Sequence, residues 1–263
     1  MSLPRAIGYV LRVPTNRWLI VASAIGYFFF AGMRTFALVF MRGHLGFGQS
    51  AATAILFLAG TGTLGGVLVA GRVADALIRR GHLDGRIVVG AMSYLGAAVV
   101  LAPALLLGSL PVEVPLLFLG AAALAAPNPP LDAARLDVMP AGLWGRAAGV
   151  RTLLRQSAQA AAPLLFGVLA DALGATSGAT SQRHVTPATA HALRDAFLIM
   201  LAPLAVTGLM LFKVRGSYAE DVATAIASEG SLTTADGPPP HRRPRAPRRR
   251  GEGSAASPAR TAG

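Results

Sequence analysis

Residues 51–71 read AATAILFLAGTGTLGGVLVAG, and residues 72–86 read RVADALIRRGHLDGR. The first stretch carries no charge and is long enough to cross ~30 Å of hydrocarbon, which takes ~20 mostly apolar residues. The second gathers Arg72, Arg79, Arg80 and Arg86 into one short connection. The apolar residues run continuously and do not alternate with polar ones. That pattern fits a helix, whose backbone satisfies itself in lipid, and not a strand of a barrel.

Five more apolar blocks lie outward from this one, at residues 18 to about 41, 87–108, 114 to about 131, about 147–170 and 196–212. The composition agrees with a bilayer as solvent. Hydrophobic residues make up 53% of the 263 and charged residues 14%, against about 25% charged in an ordinary soluble domain. The mean hydropathy is +0.54. Thr186 followed by Pro187 reads as a cap and first residue for the sixth helix. The expected fold is an all-α membrane protein with six transmembrane helices.

The basic residues set an orientation. With six spans, 20 of the 24 basic residues fall on one side and only Arg34, Arg42, Arg183 and Arg194 on the other. An error of one span would scramble that segregation. Both termini are therefore expected in the cytoplasm, with the chain in the plasma or inner membrane. The division expected is an interfacial segment at 1–17, a six-helix domain at 18–213, and a disordered Pro/Arg-rich tail at 214–263. The tail lacks the aromatic platform that single-stranded nucleic acid needs, so nucleic acid is a weaker partner than the anionic lipid of the bilayer, and a solvated tail that helps fix topology is the favoured reading.

Several charges must lie at membrane depth. Only 16 uncharged residues, Trp18 to Met33, precede Arg34. That places Arg34 about 24 Å above Trp18 at 1.5 Å per residue. It reads either as an arginine snorkelling to the far interface or as a cation facing a polar cavity. The fifth block has 15 uncharged residues, Gln156 to Ala170, again too few to span alone. Arg151, Arg155 and Gln159 recur every four residues and share a helix face that lipid does not suit. Arg34, Arg155, Gln156 and Gln159 are the candidate pathway residues. The fourth block ends in Pro127-Asn128-Pro129-Pro130, which breaks a helix. Asp132, Arg135, Asp137 and, beyond them, Arg146 form a candidate cluster at the cytoplasmic helix ends.

No catalytic constellation is legible. The chain has no cysteine, and His44, His82, His184, His191 and His241 lie outside the apolar blocks. Ser93 has no neighbouring base, and no HExxH or P-loop motif occurs. No enzyme activity, metal or cofactor is expected.

The stretch Gly71-Arg72-Val73-Ala74-Asp75, continuing to Arg79, Arg80 and Gly81, resembles the loop motif of the major facilitator superfamily. There it joins the second and third helices of each six-helix half. From Asn128 to Leu173 the chain resembles the tenth and eleventh helices of spinster-like members, through Asp132, Arg135, Asp137, Pro140, Gly145, Arg146, Gln159, Pro163 and Gly167. The pattern Gly71-x-x-Ala74-Asp75-Ala76-Leu77 recurs as Gly167-x-x-Ala170-Asp171-Ala172-Leu173. These copies close the second and fifth blocks, as inverted three-helix repeats require.

The resemblance implies the second half of a secondary transporter that moves a small organic or amphipathic solute by alternating access. Gly71, Asp75, Arg79 and Arg80 would serve its conformational switch. A second six-helix half or a second copy would supply the opposing wall. The alternative is a non-transporting membrane fragment or an accessory scaffold. Substrate, direction and ion coupling are not readable.

Overall fold

The computed structural model describes residues 8, 12–46, 48–175 and 186–235, the last eight by backbone alone. The described residues form α-helices and one short 3-10 turn. Helix α1 is Pro14–Leu45, α2 Gln49–Arg79, α3 Gly85–Leu106, α4 Leu110–Ala125, α5 Asn128–Asp137, α6 Trp144–Ala172 and α7 Pro187–Ala235. Pro14 opens α1, where its missing N–H is no loss. Gly46 closes it in the left-handed conformation at φ 69°. At α7, the Thr189 N–H donates to Thr186 Oγ1 at 3.3 Å, so the expected cap is present.

Five segments are long and apolar enough to cross a membrane: α1, α2, α3, the near-continuous Leu110–Asp137, and Pro187–Ala227 within α7. The chain is a multi-pass membrane protein. The fifth expected span corresponds to α6. It is a 29-residue helix, but Arg146, Arg151 and Arg155 interrupt its apolar run.

Two expected boundaries shift. Pro14 to Arg17 belong to α1 and not to a separate segment. Helix α7 continues past residue 213 to Ala235, so the expected tail begins later than 214. Residues 236–263, with the Pro/Arg run, lie outside the described residues, as do 1–7 and 9–11 of the interfacial segment. The polar extension of α7 is helical because it has something to pack on. Val214, Tyr218 and Ala225 are buried, the Thr15 N–H donates to Asp221 at 3.1 Å, and Thr15 and Ser217 share a hydrogen bond of 3.0 Å.

The packing has a pattern. Helix α1 lies along α6 and α7, while α4 lies along α2 and α3. Helices α3 and α7 pack on each other. Contact between α2 and α3 is slight, as is that between α6 and α7. Exchanging α1, α6 and α7 for α4, α2 and α3 leaves this set of pairs unchanged. Ala74 and Ala170, matching positions of the repeated motif, are both buried, and Asp75 and Asp171 are both exposed.

The core sits where α1, α3 and α7 meet. Phe166 of α6 enters it between Phe28, Phe29 and Phe197, with ring centroids 5.5–6.2 Å apart. Gly32 makes room for that ring, since a Cβ there would run into it. Helices α2 and α6 give this core only a few residues, Ala52 from α2 and Ala162, Phe166 and Ala170 from α6. Only 17% of the α2 span is buried, against 50% of α3. In α6, Leu153, Leu164 and Val168 are exposed.

Candidate functional site

One face of α1 carries Ser23, Tyr27, Ala31 and Arg34, spaced four, four and three residues apart. One face of α6 carries Arg151, Arg155, Gln159 and Pro163, spaced by four. Both series follow the helical period, so each lines a single ridge. The helices run the same way, and the ridges meet in step. Arg151 Nε donates to Ser23 Oγ at 3.3 Å. The Arg155 guanidinium lies 4.6 Å from the centre of the Tyr27 ring. Higher up, Arg34 and Thr35 share a groove of about 530 Å³ with Gln156, Gln159 and Ala160. Three of the four expected pathway residues therefore line one groove, and Arg155 lies one turn below it.

Arg151 is 9% exposed and is held at its far side. It pairs with Asp132 on α5, which also accepts from Arg135 at 2.7 Å. One carboxylate thus serves two guanidinium groups at the arginine-rich end of the bundle. Among the described residues no such anion pairs with Arg155. Its Nε is buried without a hydrogen-bond partner, and the face of Tyr27 is its main electrostatic counterpart.

The expected cluster of Asp132, Arg135, Asp137 and Arg146 is two assemblies. Asp132 belongs with Arg135 and Arg151. Asp137 belongs with Arg86 of α3 and with the Tyr218 hydroxyl, which donates to it at 2.5 Å. Nearby, Arg215 of α7 pairs with Asp84 at the start of α3. Arg146 is exposed in the first turn of α6 and joins neither assembly. The proline-rich step at Pro127 separates α4 from α5 by only a short turn, and Asn128 Nδ2 donates to the Ala125 carbonyl at 3.0 Å across it.

The loop-motif residues lie at the same end. Asp75, Arg79 and Arg80 are exposed. Among the described residues, no ion pair or hydrogen bond reaches Asp75. Gly71 has open space where a side chain would go.

Sequence reasoning missed Ser23 and Tyr27, which face the arginine ridge. It also missed Arg86 and Tyr218 as partners of Asp137. The period of Val214, Tyr218 and Ala225 was the available signal for Tyr218. Two histidines expected outside the apolar blocks lie in helices. His44 is in the last turn of α1, and His191 is near the start of α7.

No family model matches the chain, and no curated protein matches it. A solved structure does: a bacterial homolog of the human lysosomal transporter Spinster, in an inward-facing and unoccupied conformation. The TM-score is 0.65 at 17% identity, over 83% of this chain and 50% of that one. The chain thus spans about half the length of the structure it matches. Its fold is similar to half of that structure, in line with the likeness that the loop motif and the Asn128–Leu173 stretch implied.

Proposed function

We propose that the chain acts as one half of a secondary transporter of the major facilitator type. It would move a small organic or amphipathic solute by alternating access, with a second six-helix half completing the pathway. The observation that carries this reading is the polar ridge between α1 and α6. Arg34, Gln156 and Gln159 line a groove on helices that leave much of their surface uncovered, in a chain whose fold matches half of a transporter. In this reading α6 completes the set of six spans, and Arg151 and Arg155 are tolerated because they face α1 and not lipid. The exchange symmetry of the packing supports two inverted three-helix repeats. The charge segregation supports cytoplasmic termini in an inner or plasma membrane. Asp75, Arg79 and Arg80 would then meet the second half, which would explain why Asp75 has no ion-pair or hydrogen-bond partner among the described residues.

The absence of cysteine offers a clean test. Single Gln159→Cys and Arg34→Cys variants can be treated with a membrane-impermeant thiol reagent, without background from the rest of the chain. The groove reading expects labelling at both positions, while a control at Ala97, buried in the core, stays unlabelled. Labelling at Ala97 with none at Gln159 would sink the groove as a pathway. The partner is tested by the mass of the particle extracted gently from its native membrane. A complex with a second six-helix half, or with a second copy, supports the transporter. A lone chain in every preparation would favour a non-transporting fragment or scaffold, a reading suggested by the missing opposing wall.

A further inference from the structure

At the end of the bundle away from the arginine-rich one, the last turn of α1 meets the first turn of α4. Glu113 of α4 is 0% exposed, and neither of its carboxyl oxygens has a hydrogen-bond partner. His44 of α1 places Nε2 at 3.8 Å from Glu113 Oε2. That nitrogen is also buried without a partner. The imidazole is stacked on Phe40, with ring centroids 4.9 Å apart, and hydrogen-bonds the backbone of Leu107 in the α3–α4 connection. Helix α7 presents His191 and Arg194 toward the pair, and Arg194 is engaged by Asp195 at 2.9 Å. Arg42 is the other charged group on this end of α1.

A buried carboxyl group and a buried imidazole nitrogen, both unsatisfied and facing each other, have one economical resolution. With no proton between them, two bare acceptors oppose each other, and an ionised carboxylate sits without a donor, which is expensive out of water. With two protons, a cationic imidazole lies beside Arg194 and His191. With one, either group donates to the other, and two of the three orphaned atoms, Nε2 and Oε2, are satisfied once the gap closes to ordinary hydrogen-bond length, about 2.7–3.0 Å. A metal ion is a poorer fit, because among the described residues no third His, Cys, Asp or Glu joins the pair.

We propose that His44 and Glu113 form a one-proton binding site that joins α1 to α4 at this end of the bundle. Proton loss sets the two groups against each other and loosens the junction. The contact between α1 and α4 is small, so this site is one of few direct ties between those two helices. The assignment is independent of which solute, if any, the chain moves.

The test is infrared titration of the full chain in lipid nanodiscs, following the C=O stretch of protonated carboxyl groups as pH is varied. Glu113→Gln should remove one component of that band. His44→Gln, which keeps the carboxyl group, should move the midpoint of the same component by about one pH unit, a tenfold change in proton affinity. The assignment is overturned if Glu113→Gln leaves the band unchanged. It is equally overturned if His44→Gln leaves the Glu113 midpoint where it was.

Discussion

Along the α1–α6 seam, Ser23, Tyr27 and Arg34 meet Arg151, Arg155 and Gln159. Along the α4–α2 seam, Phe118 and Ala122 meet Gly62 and Gly66, where an added Cβ would run into the backbone carbonyls of Phe118 and Ala122. The packing treats these seams as counterparts, and the repeated motif puts their residues in register. Matching Gly71 to Gly167 sets Arg155 against Ala59, Gln159 against Thr63 and Ala162 against Gly66. One architecture therefore carries two solutions. In lipid, apolar surface supplies little drive for helix association, so backbones associate through small residues that let them approach. The α4–α2 seam does this and has no charge to spare. The α1–α6 seam keeps its helices together while retaining arginines and amides that contribute less to cohesion than a dry contact would. That excess polarity is what a solute pathway needs and a structural seam does not.

The largest expected effect falls on the dry seam. Gly66→Leu forces a side chain into the Ala122 backbone and should destabilise the fold by about 3 kcal/mol, the upper range for overpacking. The check is unfolding in mixed detergent micelles. Gly60, six residues earlier on the same helix, has nothing within contact distance of an added Cβ. Gly60→Ala should therefore be neutral or stabilising by up to about 1 kcal/mol, from helix propensity. Equal losses from both substitutions would mean that close approach does not hold this seam.

Next comes the anchor of the polar seam. Asp132→Ala strips the counter-charge from Arg135 and Arg151 together. Breaking a buried pair typically costs about 3–5 kcal/mol. The Asp132 side chain is 45% exposed, so solvent screening lowers the expectation to about 2 kcal/mol. Arg151→Ala should cost less than Asp132→Ala, because Asp132 keeps Arg135 and reaches water. The reverse order would show that Ser23, and not Asp132, fixes Arg151.

The helix periods, the uncharged runs and the arginine ridge of α6 were legible because each is a one-dimensional pattern. Fifteen uncharged residues after Arg155 announced that α6 could not be an ordinary span, and it alone among the long helices is not apolar enough to count as one. What faces the ridge was not legible. Ser23 and Tyr27 are unremarkable in an apolar block, and only the parallel seating of α1 on α6 gives them a role. His44 and Glu113 are 69 positions apart, and neither shows from its own surroundings that the other is near. The extension of α7 was misread because its composition resembles a solvated tail. Buried Tyr218 and the bond from the Thr15 N–H to Asp221 show that composition gave way to packing. Tyr218→Phe should cost about 1.5 kcal/mol, the worth of a hydrogen bond to a charged acceptor. It should also free Arg86 and Asp137 to exchange partners. A value near zero would assign the order of the extension to its apolar face.

The smallest effect is the most informative about the polar seam. Tyr27→Leu removes the ring under Arg155 and should cost about 0.5–1 kcal/mol, the range for a cation–π contact at a partly solvated site. Tyr27→Phe keeps the ring and should cost close to nothing. Stability alone barely separates these outcomes from noise, so the sharper readout is the reactivity of a cysteine at Gln159, one turn above Arg155. With the ring gone, nothing aromatic holds the guanidinium against α1, and its unpaired Nε can turn into the groove. Labelling at Gln159→Cys should then rise in the Tyr27→Leu background and stay unchanged in the Tyr27→Phe background, because a free cation lowers the pKa of a nearby thiol and speeds its reaction. If both backgrounds label alike, Arg155 is positioned by something other than Tyr27, and the two seams differ in composition without differing in how tightly they hold their side chains.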